Sequence, residues 1–219
     1  MSLESMFDEL KNSDATRRRY AAEDLGDAGD PRAIPHLLSC LSDPEVSVRE
    51  AAADALIAIG GAETGKAVIP LLYSEHTALR NLAMEILVQT GRDCLDDLLQ
   101  LCSSPSADIR KFAVDILGKI GRDHAIDNLD PILTCLRDPN PNVASAAAEA
   151  LGNIANPATI TPLLDTLQGG EWLQCNVVDA IFRIGGEAAR TALHNIAPEE
   201  LADEARHFYQ LAMKRLEHE

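Results

Sequence analysis

The chain has 219 residues, 46% of them hydrophobic but only 4% aromatic, so its core must be aliphatic and rich in alanine. Acidic residues number 35 against 19 basic ones, a formal charge of −16 that opposes binding to nucleic-acid phosphates. No apolar run reaches the length of a membrane span, and the acidic start Met1-Ser2-Leu3-Glu4 is unlike a signal peptide; a cytoplasmic protein is expected.

One segment pattern recurs at intervals of 30 to 34 residues: a small polar or acidic turn, an aliphatic-Arg step, a small-residue run, an acid, then Leu or Ile and a Gly stop. The first copy is Arg18…Ala22-Glu23-Asp24-Leu25…Gly29, and the second is Asp43-Pro44…Val48-Arg49…Ala53-Asp54-Ala55-Leu56…Ile59-Gly60. Further copies run Leu79-Arg80…Glu85-Ile86-Leu87…Gly91 and Ile109-Arg110…Asp115-Ile116-Leu117…Ile120-Gly121. Val143…Glu149-Ala150-Leu151…Ile154 and Leu173…Asp179-Ala180-Ile181…Ile184-Gly185 follow. Self-similarity of this period predicts a solenoid whose repeats bury their apolar faces only against their neighbours.

Each unit reads as two helices. In the second, Ala33, Ile34, Leu37, Leu38 and Leu41 share a helical stripe over Pro31 to Leu41. Asp43-Pro44 then reads as an N-cap followed by proline at the first helical position, and Ser104-Pro105 and Asp138-Pro139 repeat that signal. Val48, Ala52, Ala55, Leu56 and Ile59 line the second helix, which stops at Gly60-Gly61. Pro35, Pro70, Pro131 and Pro162 recur within the first helices, where they kink or shorten them. The expected hairpins are 1–29, 30–61, 62–91, 92–121, 122–156, 157–186 and 187–219, in one all-α, right-handed superhelical domain of about 13–14 helices without a sheet. The polar helix after Pro198 reads as a terminal cap facing water.

Five cysteines without a Cys-x-x-Cys read as small core residues: Cys40 and Cys135 occupy matching positions and Cys102 lies one step out of register. Arg17-Arg18-Arg19 is the one basic cluster, but Glu23, Asp24 and Asp27 follow it, and it reads as a solvated face.

The runs Asp43-Pro-Glu-Val-Ser-Val-Arg-Glu-Ala-Ala-Ala-Asp-Ala-Leu-Ile-Ala-Ile-Gly60 and Gly26-Asp-Ala-Gly-Asp-Pro-Arg-Ala-Ile-Pro-His-Leu-Leu38 resemble the short HEAT repeats called phycobilisome-lyase-like. The resemblance covers essentially the full chain. It implies an α-α superhelix with the second helices on the concave face. It implies no single function, since such repeats occur in bilin lyase subunits, in a metal-dependent hydroxylase and in bacterial and archaeal scaffolds. Deoxyhypusine hydroxylase, which shares the fold, binds iron through His-Glu pairs near the starts of second helices; here those places read Arg49-Glu50, Arg80-Asn81 and Arg110-Lys111. The one His-Glu is His218-Glu219, at the end of the chain. The alkyl-purine DNA glycosylases of HEAT-like fold need a basic concave face, which the charge opposes.

The charged row Glu23, Asp54, Glu85, Asp115, Glu149 and Asp179 places one acid per repeat, five residues after the Arg position. Read functionally, it is an acidic groove for a basic segment of a partner protein. Read structurally, which we take as the default, it is solvation, with Arg19–Glu23, Lys111–Asp115 and Asp179–Arg183 paired within their helices. Arg18, Arg49, Arg80 and Arg110 form a second ladder whose forks are expected to tie the turns of adjacent repeats. It stops at Ala144 and Gln174, beside Gly169-Gly170-Glu171-Trp172. Trp172, the only tryptophan, is either an interface anchor or, by default, a filler for the missing Arg against the last hairpin. No metal-ligand spacing, phosphate-binding Gly loop or nucleophile motif is found, so no cofactor is expected. The expected function is therefore a non-catalytic scaffold binding another protein on its concave face, with a bilin lyase or lyase-chaperone subunit acting on phycobiliproteins as the alternative.

Overall fold

The computed structural model describes residues 2–216, so His218-Glu219 lies outside the described residues. These residues form fourteen α-helices in seven successive pairs and no strand: the chain is an all-α solenoid of helical repeats. It divides into two compact units, 1–98 and 99–219.

In the first unit α1 (Leu3–Glu9) and α2 (Ala15–Ala28) form the first hairpin, α3 (Ile34–Cys40) and α4 (Val46–Ile59) the second, and α5 (Gly61–Val68) and α6 (Thr77–Thr90) the third. The boundary falls within α7 (Leu95–Leu101), which precedes α8 (Ala107–Asp123). The second unit continues with α9 (Asp130–Cys135) and α10 (Pro141–Ile154), α11 (Ile160–Leu164) and α12 (Glu171–Ile184), and α13 (Gly186–His194) and α14 (Asp203–Leu216).

The first helices are short throughout, and in several repeats proline stands in or beside them. Pro35 and Pro131 stand at the second position of α3 and α9, where a missing N–H costs no helical bond, and the chain ahead of α3 and α11 is a separate 3-10 turn, Pro31–Ala33 and Pro157–Thr159. Around Pro70 the whole segment Ile69–Tyr73 is 3-10. The second helices carry no internal proline and run for 14 residues in most repeats.

The start signals Asp43-Pro44, Ser104-Pro105 and Asp138-Pro139 do not open their helices, which begin at Val46, Ala107 and Pro141. Asp43 Oδ1 accepts a hydrogen bond from the Glu45 N–H (2.9 Å), and Asp138 Oδ1 from the Asn140 N–H (2.8 Å), closing a turn one step upstream. Asn140 is the true cap of α10, accepting from the Asn142 N–H.

Ser104 closes the same turn on the Ser106 N–H, and at the two aspartates the preceding repeat's arginine adds a tie. Arg18 donates through Nε (2.7 Å) and Nη2 (2.8 Å) to both carboxylate oxygens of Asp43, and through Nη1 to the Asn12 carbonyl of its own turn (2.9 Å). Arg110 repeats the fork on Asp138 (2.6 and 2.8 Å) and on the Ser104 carbonyl (2.8 Å). Arg49 and Arg80 hold their own turns at the Asp43 and Ser74 carbonyls. The ladder does not end at Arg110. Arg206, also the fourth residue of its helix, binds the Pro198 and Leu201 carbonyls. Between them Gln174 donates to the Leu167 carbonyl (2.7 Å) and accepts from the Ala202 N–H (2.9 Å), a neutral bridge to the next hairpin.

The core is aliphatic. Leu25, Leu37, Leu56 and Leu72 in the first unit, and Ile116, Leu117, Ile132 and Leu136 in the second, are almost fully buried. All five cysteines are free and buried, and burial pushes the Cys40 and Cys94 thiols up to about 11. The last helix, α14, buries Ala205, Tyr209 and Ala212 but leaves Phe208 and Leu211 exposed, so its outer side is not purely polar.

Alanine and glycine set the spacing of the second helices. A Cβ added at Gly26 would lie 2.8 Å from the Ala55 Cα, at Gly118 2.7 Å from that of Ala150, and at Gly152 2.7 Å from that of Ala180. Backbone thus lies almost on backbone between α2 and α4, α8 and α10, and α10 and α12. The equivalent positions on α4 and α6 hold Ile57 and Ile86, and those helices stand further apart.

Two outcomes are expected. Gly118→Ala and Gly152→Ala gain about 1 kcal/mol of helix propensity, but the new methyl meets backbone that cannot swing aside. Each should destabilise by about 1–3 kcal/mol net, read by urea denaturation. The second concerns acid. The guanidinium fork of Arg18 holds the Asp43 carboxyl below the ordinary carboxylate range, and Arg110 does the same to Asp138. A carboxyl with a lowered folded pKa contributes stability above the unfolded value of about 3.9, and loses it as pH falls through the folded value. Asp43→Asn/Asp138→Asn should therefore be less stable than the parent at pH 7, the gap closing as acid is added below about pH 4.

Candidate functional site

Each of Glu23, Asp54, Glu85, Asp115, Glu149 and Asp179 is the ninth residue of its second helix, on α2, α4, α6, α8, α10 and α12. The register is identical because each helix starts three residues before the Arg position, fixed by the same turn. On each helix the acid stands on a side that packing leaves at least partly open. Glu23, Asp54, Glu85 and Glu149 are exposed, and Asp115 and Asp179 half-buried. Pairing within the helix is present where the sequence placed it: Arg19 with Glu23, Lys111 with Asp115 (2.7 Å) and Arg183 with Asp179 (2.6 Å). Such exposed pairs contribute only tenths of a kcal/mol, so they trim the charge of the row without fixing the fold. In the seventh hairpin the row ends, and Leu211 takes the acid's position.

The face of the second unit is not uniformly acidic. Between α8 and α10 lies a hollow of about 290 Å³ lined by Lys111, Asp115, Lys119, Arg122, Glu149 and Asn153 over a floor of Gly118, Ala146 and Ala150. Asn153 Oδ1 accepts from Arg122 Nη2 (3.2 Å) and from Arg183 Nη1 (2.9 Å). The sequence reading missed this cluster because it followed the acid row. The signal was present four residues further on, where Lys119, Asn153 and Arg183 share one register.

Trp172 is 73% exposed at the second position of α12. It does not fill the space of the missing arginine; the amide of Gln174 takes over that bonding. Tyr20, beneath the Arg19 guanidinium, and Tyr73 are exposed aromatics of the first unit.

Among the described residues no three His, Cys, Asp or Glu side chains stand close enough to hold a metal ion, and no helix is long and apolar enough to cross a membrane.

The HEAT-repeat family pattern matches residues 3–87, 95–174 and 129–213. Over 220 residues the chain is 27% identical to a phycocyanin operon protein Z of Pseudanabaena tenuis, covering 99% of this chain and 96% of that protein. It is 30% identical over 200 residues to a phycocyanobilin lyase subunit alpha of Nostoc, covering 90% of this chain and 65% of that protein. A HEAT repeat-containing taxis protein of Halobacterium salinarum matches at 30% over 173 residues, 76% of this chain and 38% of that protein. Among solved structures, the complex of CpcE and CpcF of phycocyanin lyase from Nostoc aligns with a TM-score of 0.41 at 23% identity, covering the whole of this chain and 88% of that one. Human deoxyhypusine hydroxylase aligns with a TM-score of 0.49 at 18% identity, over 99% of this chain and 85% of that one.

As the only tryptophan, Trp172 reports on itself. Its fluorescence should be that of a water-exposed indole, freely quenched by acrylamide, and Trp172→Ala should alter stability by no more than about 0.5 kcal/mol in urea. A blue-shifted, shielded emission would return it to the core.

Proposed function

This chain belongs to the HEAT-repeat family, in its phycobilisome-lyase-like short form, and we propose that it is a non-catalytic scaffold that binds another protein along the face of its second helices. The carrying observation is the acid row: six helices, three in each unit, hold a carboxylate at one register, each on a side of its helix that the core does not need. A row of carboxylates favours a partner segment that brings Lys or Arg, and such complementarity speeds encounter and fixes register more than it adds affinity. Trp172 supplies an exposed aromatic of the kind that anchors interfaces. Repeat solenoids commonly use such extended surfaces for binding.

A second reading is favoured by the relatives. Similarity to a phycocyanin operon protein along nearly its full length, and to a phycocyanobilin lyase subunit, supports a bilin lyase or lyase-chaperone subunit acting on phycobiliproteins. The readings separate on adding free bilin. Visible absorbance that stays with the protein through gel filtration favours the lyase, and its loss favours the scaffold.

The scaffold reading is tested by affinity capture from the source organism with three baits: wild type, Asp54→Lys/Glu85→Lys/Asp115→Lys, and Trp172→Ala. Wild type should retain a partner in a salt-dependent way. The triple variant should lose about tenfold or more in affinity and much of the salt dependence, and Trp172→Ala should weaken retention as well. Folded variants that capture the same partner with unchanged affinity and salt response overturn the proposal.

A further inference from the structure

The hollow between α8 and α10 carries charge of the wrong sign for an acidic groove. Lys111 is matched by Asp115 and Arg183 by Asp179, but among the described residues no carboxylate comes within ion-pair range of Lys119 or Arg122. Glu149 lines the same hollow without bridging to either. In a chain of charge −16, two cations unmatched by carboxylates beside one hollow are out of keeping with the rest of the surface.

The bonding at Asn153 sharpens the point. Two guanidinium groups, from α8 and α12, converge on one amide oxygen. Drawing two cations to one atom is repulsive, and a carboxylate at residue 153 would relieve it; asparagine leaves the charge uncancelled. It also orients the amide. With Oδ1 held by both arginines, Nδ2 is the edge left to donate, and Asn153 lines the hollow. Cations are also favoured in the last turn of a helix by its dipole, which accounts for Arg122 at the end of α8 but not for Lys119. It accounts for Arg183 at the end of α12 as well, but not for the convergence of both guanidinium groups on one amide oxygen beside a floor of one glycine and two alanines. That floor follows from packing: Gly118 against Ala150 brings the helices together and leaves nothing to fill the space above them.

The geometry points to a carboxylate-binding site in this hollow, in which Lys119 and Arg122 supply the charge and the Asn153 amide a directed donor. Guanidinium and ammonium groups bind carboxylates through charge-assisted hydrogen bonds, which a neutral ligand would forgo. The carboxylate belongs either to a free small acid or to a Glu or Asp side chain of a bound protein. The site does not depend on the acid row taking a basic segment, and its test uses no cellular partner.

Nitrogen-15 NMR of the full chain, observing the Asn153 side-chain amide, is the direct measurement. The probes are sodium glutarate and the neutral-ended peptide acetyl-Ala-Glu-Ala-amide, each against sodium chloride at equal ionic strength. Saturable shifts of the Asn153 amide are expected, with affinity falling about fivefold in Lys119→Gln and again in Arg122→Gln. Arg190→Gln, an exposed arginine on α13, removes the same charge elsewhere and should change little. Saturation by glutarate shows that a free carboxylate suffices, whereas saturation by the peptide alone assigns the site to a protein side chain. Non-saturating shifts with both probes, or equal weakening in Arg190→Gln, overturn the proposal.

Discussion

A hairpin of two short helices cannot bury its own apolar face, and everything else in this molecule follows from how closely the next hairpin must be laid against it. With aromatics scarce, the large buried side chains are leucine and isoleucine, and tight burial of so aliphatic a core needs more than their size. It comes from proximity: alanine runs such as Ala51-Ala52-Ala53 and Ala146-Ala147-Ala148 let helices approach, and Gly26, Gly118 and Gly152 let backbone meet the Ala55, Ala150 and Ala180 backbones. Small residues thus do what bulky ones do in other cores, by bringing more atoms into van der Waals contact rather than by filling distance.

Close approach leaves the turns between helices to be ordered by polar means. An arginine at the fourth position of a second helix reaches back to its own turn carbonyls. Where the next turn offers an aspartate, as Asp43 does to Arg18 and Asp138 to Arg110, the same side chain ties two repeats together. These forks are nearly dry, with Asp43 and Asp138 side chains 10% and 6% exposed, unlike the open Arg17–Glu9 pair. Of the two positions where the arginine is lost, Ala144 offers no polar side chain, while Gln174 keeps the bonding and gives up the charge.

The repeat, the helix pairs and the buried cysteines were legible because they depend on period and composition, which a single sequence carries in full. Three helix starts fall two residues later than their Asp-Pro or Ser-Pro signals place them, for a definite reason. An Asp-Pro or Ser-Pro step has the chemistry of a cap, but the side-chain oxygens of Asp43, Ser104 and Asp138 each accept from the N–H two residues on and close a turn instead, which an arginine of the preceding repeat braces only at the two aspartates. Trp172 was misjudged in the same way: the vacancy left by an absent arginine was assigned to the nearest large side chain, while a glutamine two residues on already spanned it. Arg206 escaped notice because its repeat lacks the acid that marks the others, Leu211 standing there instead.

The acid row was legible as a row, but its surroundings were not, since a register read down the sequence says nothing of what a neighbouring helix contributes. Glu149 looks like one more member of an acidic series until α8 is laid beside it, when Lys119 and Arg122 line the same hollow. Gly118 connects the two levels. Its missing side chain permits the helix contact that stabilises the solenoid, and the same absence empties the floor of the hollow. A methyl group there would therefore strain the packing and crowd the floor together, so the constraint that builds the fold also shapes a hollow lined by three cations and two carboxylates.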